Sequence, residues 1–388
     1  MPITDPVACA RTLAALIDSE AASADATGTM TQPVVAALAE AGMFGLLVPR
    51  SLEGTEADAS TTLAVFEELS RADGSTGWSF LANATTTAFA AAYTGDRAVK
   101  EMFGGPTMPI HAGMLGPRGE AKTVKGGFLV HGRFSFASGS GHAGWIGAGT
   151  LVTDGGEPVR SGQGVPEMRV VFVPRDRVEF LGNWDVVGLS GTGSYDYELA
   201  EQFVDTDWTF SLTSAVPQRG GPVYRLGVLV LTSIGHCGFA LGVGRRSLEE
   251  VARISRSKLR MGAATTISEQ QMFQYDFAYQ EAALRSARAY AFEVFGDVQA
   301  TVDRGDELSA EQRHRARQVT TYATRVAADV VRCAYTWAGS DGLRPGALQR
   351  CFRDMHAATQ HIFVDNSTLT AATAVLLDGY SAAAELGS

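Results

Sequence analysis

The sequence of 388 residues has few cysteines, no run of basic residues and no long apolar stretch. Its 32 Lys and Arg against 42 Asp and Glu give a net charge of −10, which argues against a nucleic-acid or anionic-membrane surface. The four cysteines are scattered without CxxC spacing, so we expect reduced thiols, neither a disulfide framework nor a zinc site. They are Cys9, Cys237, Cys333 and Cys351.

Membrane and export segments are also missing from the pattern. The longest apolar stretches, such as Val228–Ile234, are too short to cross a bilayer. The first five residues lack a positive region followed by an apolar one, so no export signal is visible. We therefore expect a cytoplasmic protein with neither a membrane nor a nucleic acid among its partners.

Common catalytic motifs are absent too. The sequence contains no G-x-S-x-G elbow, Walker A loop, HExxH or EF-hand pattern. Residues 139–144 spell G-x-G-x-x-G, but a dinucleotide site needs a helix after that motif, and Trp145–Val152 is typical of a strand. His356 and His361 lie five apart on a predicted helix and would point about 140° apart, so we predict no metal site.

A chain of this length is expected to contain more than one domain, and the residue pattern divides it into three stretches. Helical periodicity dominates 1–105, short alternating runs separated by Gly and Pro turns dominate 106–215, and helical periodicity returns over 216–388. We predict an α+β multidomain fold with an N-terminal α-helical domain, a middle antiparallel β-barrel or sandwich, and a C-terminal four-helix bundle. The four expected bundle segments are Tyr224–Arg260, Ile267–Val302, Ser309–Trp337 and Pro345–Leu377.

Several polar or aromatic positions allow two interpretations each from the residues alone. Ser138 either ends a strand in a polar turn or approaches a planar cofactor, with Gly139 permitting close contact. Trp145 and Trp184 are either residues of the hydrophobic core or walls beside a cofactor ring, and the core interpretation is favoured. The stretch 188–194 is an ordinary turn by composition, and Arg353-Asp354 a solvated pair or an inter-helix bridge. His361 is a structural histidine or a proton-transfer group.

Taken together, three stretches resemble the acyl-CoA dehydrogenase superfamily over nearly the whole chain. They are 41–49, then 184–196 with its W…GxxGTGS pattern, and 339–342 followed by Arg353-Asp354. Two more stretches, 74–78 and 135–145 with S-G-x-x-H-x-x-W spacing, are similar to the two-component flavin-dependent monooxygenase (group D) branch.

The resemblance implies an activity. Such an enzyme takes reduced flavin (FADH2 or FMNH2) from a separate flavin reductase and uses O2 through a C4a-(hydro)peroxyflavin to oxygenate a small organic substrate, for which an aromatic compound is one option. It also implies a homotetramer. Water must be excluded from the reacting ring. We therefore expect a dry slot between the β domain and the bundle.

The resemblance also implies site residues. Ser138 and His361 would both face the slot and serve catalysis, with the reference pKa of histidine near 6.5 allowing His361 to accept or donate a proton. Lys258 would meet the flavin phosphates. Residues expected to line the ring are Ala112, Gly113, Leu115, Ser138 and Trp184, and those expected beside the cofactor tail of a neighbouring subunit are Gly339, Ser340 and Gly342.

Two departures keep alternatives open. Residues 365–371 lack the Glu motif that acyl-CoA dehydrogenases use, and the region near Val228 is apolar, so the base for thioester α-proton removal is missing. Residues 85–87 are threonines where many aromatic hydroxylases carry a histidine, so phenol deprotonation by that route is in doubt. The alternatives are an FAD-dependent acyl-CoA dehydrogenase-like enzyme acting on a CH–CH group and a non-catalytic assembly protein.

Overall fold

A computed structural model describes residues 2–160, 164–213 and 216–386. Within those ranges the chain forms ten α-helices and eight strands. The helices are α1 Pro6–Thr27, α2 Gln32–Glu40, α3 Ala59–Ala72, α4 Gly74–Tyr93, α5 Asp96–Phe103, α6 Gly227–Ser255, α7 Gln271–Asp303, α8 Ala310–Ala338, α9 Ala347–Ala358 and α10 Ser367–Leu386. The strands are β1 His111–Val124, β2 Gly127–Ala137, β3 Trp145–Asp154, β4 Glu157–Pro158, β5 Met168–Pro174, β6 Glu179–Phe180, β7 Tyr195–Asp205 and β8 Thr209–Ser211.

The order of helices, sheet and helices is that of the predicted fold class, which is confirmed. The exact boundaries at 105 and 215 stay a prediction, and residue 215 lies outside the described residues.

Helix α4 is the central element of the N-terminal region. Its N-cap Asp73 accepts a hydrogen bond from the Thr76 backbone N–H at 2.8 Å, which satisfies one free donor of the first turn. Small and apolar residues cover all sides of the helix, and all but Ala82 are buried. A helix without a polar face has to lie inside the protein. Accordingly α4 contacts α3, α6 and β1.

The middle region is one sheet with the order β6-β7-β2-β1-β3-β5-β8, with β4 paired to β3. Its pairs are antiparallel as expected, except that β1 and β3 run parallel. They share a direction because two chain reversals, at residues 125–126 and 138–144, separate them. The second reversal contains the G-x-G-x-x-G stretch, which forms a 3₁₀ turn at Ser140–His142 and leads into β3. No helix follows it, which agrees with the rejection of a dinucleotide site.

The C-terminal region differs from the prediction at its last segment. Helices α6, α7 and α8 match the first three expected segments, but the fourth is split into α9 and α10. Residues 359–366 between them include a 3₁₀ turn at Ile362–Val364. The prediction that His356 and His361 share a helix is therefore wrong.

Although its uninterrupted apolar runs are short, one helical stretch within the described part of the chain, Pro222–Ser255, is long and apolar enough to cross a membrane by composition, but 78% of its most apolar window is buried inside the protein. This is how the core helix of a globular protein behaves. The apolar core that includes α6 also contains Val170, Phe172 and Leu189 from the middle region. The sheet and the helices are thus packed into one body around α4.

Candidate active site

Ser138 lies where β2 ends, directly opposite Ser194 at the start of β7. The register pairs Ala137 with Tyr195, so the next residue on β2 meets the residue before β7. The two hydroxyl oxygens are 2.7 Å apart, and Ser138 Oγ also accepts a hydrogen bond from the indole Nε1 of Trp78 at 3.1 Å. Ser138 is thus a buried hydroxyl that joins the sheet to helix α4.

The turn after Ser138 depends on a glycine. Gly139 has φ 72, and a Cβ there would lie 2.5 Å from the Asn83 side chain. Asn83 Nδ2 donates to the carbonyls of His111 at 2.9 Å and Gly139 at 3.3 Å. These bonds hold the first residues of β1 beside the end of β2.

The stretch 188–194, an ordinary turn by composition, is a buried hydrogen-bonded relay. Ser194 Oγ lies 2.7 Å from Thr192 Oγ1, which donates to the Leu189 carbonyl at 2.7 Å. We call Ser138, Thr192, Ser194 and the Leu189 carbonyl the β wall. Leu189 has φ 58, and its backbone N–H donates to Asp354 Oδ1 at 2.6 Å. Helix α9 therefore holds the left-handed residue at the far end of the relay.

His361 also contacts Trp78, within a cluster of rings. The indole meets the rings of His236, Phe239 and His361 edge-on, at centroid distances of 4.9, 4.9 and 5.5 Å. His236 lies 4.4 Å from His361 and stacks on Phe363 at 5.2 Å. We call His236, Phe239, His361 and Phe363 the bundle wall. Trp78 contacts both walls.

The protonation state of His361 follows from its surroundings. Burial lowers the pKa of His361 to about 4, so the ring is neutral at pH 7, unlike the near-neutral titration expected from the sequence. His361 Nδ1 accepts a hydrogen bond from the Phe363 backbone N–H at 3.3 Å. In a neutral imidazole the proton must then be on Nε2, which makes that atom a donor.

Two side chains of this site were missed by sequence reasoning. Trp78 was seen only as part of a motif, and His236 was not singled out, because both lie on apolar buried helices. Burial, with His361 as a second cause, lowers the pKa of His236 well below 6.5, so both imidazoles are neutral. His236 and Phe239 are three residues apart and therefore share one face of α6, and this spacing was the signal that could have indicated His236.

Trp184 is half-buried and forms an apolar ledge with Phe136. Phe136 was not singled out as a site residue from the sequence. Phe136 is 60% exposed with φ 68, and its ring meets Trp184 edge-on at 6.2 Å. Trp184 Nε1 donates to the Leu189 carbonyl at 3.1 Å, which ties the ledge to the β wall. Trp145, by contrast, stacks near His111 at 6.4 Å and packs against the core.

Three residues of β1 were predicted to line the flavin ring, and the structure places them only partly near the end of β2. Ala112 is fully buried in the sheet core, next to His111, whose carbonyl Asn83 holds near Gly139. Gly113 has φ 137 and pairs with Gly147. Leu115 lies where the pairing of β1 with β3 shifts register and packs against the helical core.

The four residues predicted for phosphates and cofactor tail lie together elsewhere. Lys258 Nζ donates to the Ala338 carbonyl at 2.6 Å and to Ser340 Oγ at 3.3 Å, and pairs with Asp341 at 3.0 Å. Gly339 ends α8, and Gly342 is buried beside Tyr335. We call Lys258 and residues 339–342 the tail cluster.

The tail cluster is distant from His361 along α8. Thr321, in the first half of this helix, bonds at 2.6 Å to Thr368, which follows His361 in the chain. Ala338 lies 17 residues further on, which is about 25 Å at 1.5 Å per residue. The predicted site residues therefore fall into two separate groups within one chain.

Of the two interpretations of Arg353 and Asp354, the structure confirms the inter-helix bridge for Arg353, and the two residues are not partners of each other. Arg353 Nη2 pairs with Asp25 of α1 at 2.7 Å, whereas the buried Asp354 holds Leu189. Burial, reinforced by the nearby Asp73 carboxylate, raises the pKa of Asp354 to about 7. Asp354 is thus a support of the β wall that titrates near neutrality.

Comparisons with known proteins agree with this architecture. Residues 8–108 match the model of the acyl-CoA dehydrogenase N-terminal domain, and residues 234–366 that of the C-terminal domain. The indole-3-acetate monooxygenase of Pseudomonas putida is 30% identical over 340 residues, 87% of this chain and 85% of that protein. The flavin-dependent monooxygenase oxygenase subunit HsaA of Rhodococcus jostii RHA1 is 28% identical over 350 residues, 84% and 85% of the two chains.

A solved structure shows the same fold. XiaF from Streptomyces sp., in complex with FADH2 and glycerol, superposes with a TM-score of 0.87 over 96% of this chain and 95% of that one, at 18% identity. The chain belongs to the acyl-CoA dehydrogenase superfamily. Within it, the chain is the oxygenase component of a flavin-dependent monooxygenase, which uses reduced flavin and O2 and has a separate flavin reductase as partner. The acyl-CoA dehydrogenase alternative is set aside.

The residues around Ser138, Phe136 and Trp184 fit a flavin ring. An aromatic ledge with a left-handed backbone at Phe136 gives a planar group an apolar face, and the buried hydroxyl two residues later gives its edge a hydrogen-bonding partner. Among the described residues, no group of three or more His, Cys, Asp or Glu is placed to hold a metal ion.

Proposed function

We propose that this oxygenase acts on a small aromatic substrate, with the flavin ring against the β wall and the substrate against the bundle wall. One observation carries the proposal. The indole of Trp78 donates to Ser138 and meets the ring of His361 at 5.5 Å, so the predicted cofactor hydroxyl and the predicted catalytic imidazole share one neighbour. Trp78 contacts both Ser138 and His361, so these two residues alone do not line the slot expected between the sheet and the helices, and the slot stays part of the proposal.

The β wall orients the cofactor in this proposal. When bound, the reduced flavin supplies the electrons that activate O2 for insertion into the substrate. Ser138 would hold the N5 edge of the ring through its hydroxyl, and Trp184 and Phe136 would offer an apolar surface to its face. These roles are supported by the 2.7 Å hydroxyl contacts that fix Ser138 and by the exposure of Phe136.

The bundle wall orients the substrate and excludes water. An aromatic substrate would pack edge-on or offset against the rings of His236, Phe239 and Phe363. Neutral His361 holds its proton on Nε2 and donates it as a hydrogen bond toward the reacting oxygen. An aromatic substrate is also what the relative named for indole-3-acetate acts on.

Other features complete the proposal. We place the domain boundaries at 105 and 215, expect a cytoplasmic homotetramer, and assign the tail cluster to the cofactor of a neighbouring subunit. Thr321, which bonds to Thr368, and Ala338, beside the tail cluster, lie about 25 Å apart along α8, and this separation suits a site completed by a second copy. The ion pair with Asp341 would leave Lys258 only part of its charge for a phosphate.

An anaerobic mixing experiment tests the proposal. The protein is loaded with reduced FMN or FAD, mixed with indole-3-acetate or another aromatic acid, and exposed to O2 while product and H2O2 are measured. We expect oxygenated product, with H2O2 dominating when cyclohexylacetate replaces the aromatic acid. Equal yields from both acids, or none from any aromatic compound, would contradict an aromatic substrate. Mixing oxidised flavoprotein with acyl-CoA serves as control and should leave its absorbance unchanged.

A further inference from the structure

The relay of the β wall has only one possible direction. A carbonyl oxygen can only accept, so Thr192 must donate its hydroxyl proton to the Leu189 carbonyl, 2.7 Å away. Thr192 has no second proton, so the 2.7 Å contact with Ser194 requires Ser194 to donate. The same argument then applies to the 2.7 Å contact between Ser194 and Ser138, in which Ser138 must donate.

Ser138 is therefore left without a proton for any further partner. Its single hydroxyl hydrogen is used toward Ser194, and one of its two lone pairs already accepts from Trp78 Nε1. What remains is one lone pair. The three hydroxyl residues are buried, with Thr192 fully inaccessible and Ser194 2% exposed, so water does not readily supply the relay with other partners.

We infer that this relay makes Ser138 a hydrogen-bond acceptor toward the cofactor, so that Thr192 and Ser194 determine the preference of the site for reduced over oxidised flavin. Reduced flavin carries an N–H at position 5, which can donate to the free lone pair of Ser138. Oxidised flavin presents a lone pair at N5, which faces the lone pair of Ser138 and gains no hydrogen bond. The inference rests on the proposed position of Ser138 at N5.

The size of the preference follows from the hydrogen bond that one state gains and the other lacks. A lost hydrogen bond with a buried partner left unsatisfied corresponds to about a ten- to hundredfold change in affinity. We expect the wild-type dissociation constant for reduced flavin, measured anaerobically, to be lower than that for oxidised flavin by about this factor. Titrations with FMN and FAD identify which nucleotide to use.

An analogue tests the inference without any mutation. In oxidised 5-deazaflavin a C–H group replaces N5, which removes the lone pair and keeps the ring shape. The wild-type protein should bind it several-fold more tightly than oxidised flavin. Equal affinity for oxidised and reduced flavin, or no gain with the analogue, would overturn the inference but leave the proposed function standing. Failure to bind flavin in either redox state would instead overturn the proposed function.

Variants identify the residues responsible. Ser194→Ala removes the acceptor of the Ser138 proton, and Thr192→Val removes the acceptor of the Ser194 proton while conserving shape. Both should lower the ratio of oxidised to reduced dissociation constants about tenfold, because Ser138 becomes free to donate to N5. Ser140→Ala is the matched control, since Ser140 donates to the Gly193 carbonyl in the same region, outside the relay. An unchanged ratio in both relay variants with retained circular dichroism would refute the assignment.

Discussion

The β wall and the bundle wall meet at the same indole but are built from opposite kinds of interaction. In the β wall, three hydroxyls and a carbonyl form contacts of 2.7 Å whose proton directions are fixed. In the bundle wall, two neutral imidazoles and two phenyl rings are held by ring packing at 4.4–5.2 Å. The first arrangement suits the edge of a polar ring, and the second suits an apolar substrate from which water is excluded.

The comparison shows why Trp78 is central to the site. An indole is the side chain that offers both a hydrogen-bond donor for a polar wall and a large apolar edge for an aromatic one. Because helix α4 is buried on nearly all sides, this residue is held in place by the core of the whole molecule. The four predictions that follow test the contrast between the walls, from the largest expected effect to the smallest.

The largest effect is expected from removing the residue that both walls share. Trp78→Ala would leave a cavity between them and lower the free energy of unfolding by about 3–5 kcal/mol. Trp78→Phe keeps most of the apolar edge and loses the donor to Ser138, so we expect a loss of about 1–2 kcal/mol. Urea unfolding measures both. Similar losses for the two variants would show that the donor, and not the packed edge, is what the fold requires.

Acid should weaken the bundle wall through its histidines. The pKa of His361 falls from 6.5 to about 4 on burial, so below pH 6.5 the unfolded chain binds more protons than the folded one and stability decreases as pH falls. Between pH 6.5 and 4.5 the contribution of His361 is about 2 kcal/mol. His361→Asn should lose this part of the acid sensitivity. Identical pH dependence of urea unfolding in the variant and the wild type would contradict a neutral His361.

The fold was predictable to a large degree, and the reason lies in periodicity. Long apolar repeats at helical spacing identified α6, α7 and α8, and alternating runs identified β2, β3, β5 and β7. The break at 359–366 was missed because no Gly or Pro interrupts the helical pattern there. The sequence 365–367, with Asp, Asn and Ser, carried a helix-start signal that could have found it.

The site was predictable only where a family resemblance marked it. Ser138, Trp184 and His361 lie around one region, and Lys258 lies with residues 339–342, but the separation of these two groups depends on tertiary packing. His236 could not be distinguished from a core residue, because burial and neighbours, which a sequence does not show, decide its role. The direction of the relay likewise required distances between hydroxyls.

Asp354, which supports the β wall, should change the stability of the protein with pH in the direction opposite to that of His361. The pKa of Asp354 rises from 3.8 to about 7, since burial and the Asp73 carboxylate disfavour its charge; Asp25 and Arg353 are the other charges that act on it. Between about pH 4 and 7 the unfolded chain thus binds fewer protons at this group, and its contribution to stability falls as pH rises.

The variant Asp354→Asn tests this contribution. Asn can still accept from the Leu189 N–H but does not titrate, so the variant should gain about 2 kcal/mol relative to wild type between pH 5.5 and 8. Urea unfolding at the two pH values measures the difference. A relative loss for the variant at pH 8 would show that Asp354 is charged in the folded protein and that the β wall needs this charge.

The smallest effect in free energy, and the most direct one on function, concerns the donor of the bundle wall. His361→Asn keeps an oxygen that can accept from the Phe363 N–H, as asparagine does at a helix start, but lacks the Nε2 donor. We expect product formed per reduced flavin to fall about tenfold, equivalent to about 1.4 kcal/mol, with H2O2 rising in its place and the affinity for reduced flavin unchanged. His131→Asn, on an exposed part of β2, is the matched control. The proposed function assigns the flavin to the β wall and the substrate to the bundle wall. A variant that loses flavin affinity and product in equal measure would contradict this division, and His361 would then belong with Ser138 as part of the cofactor site.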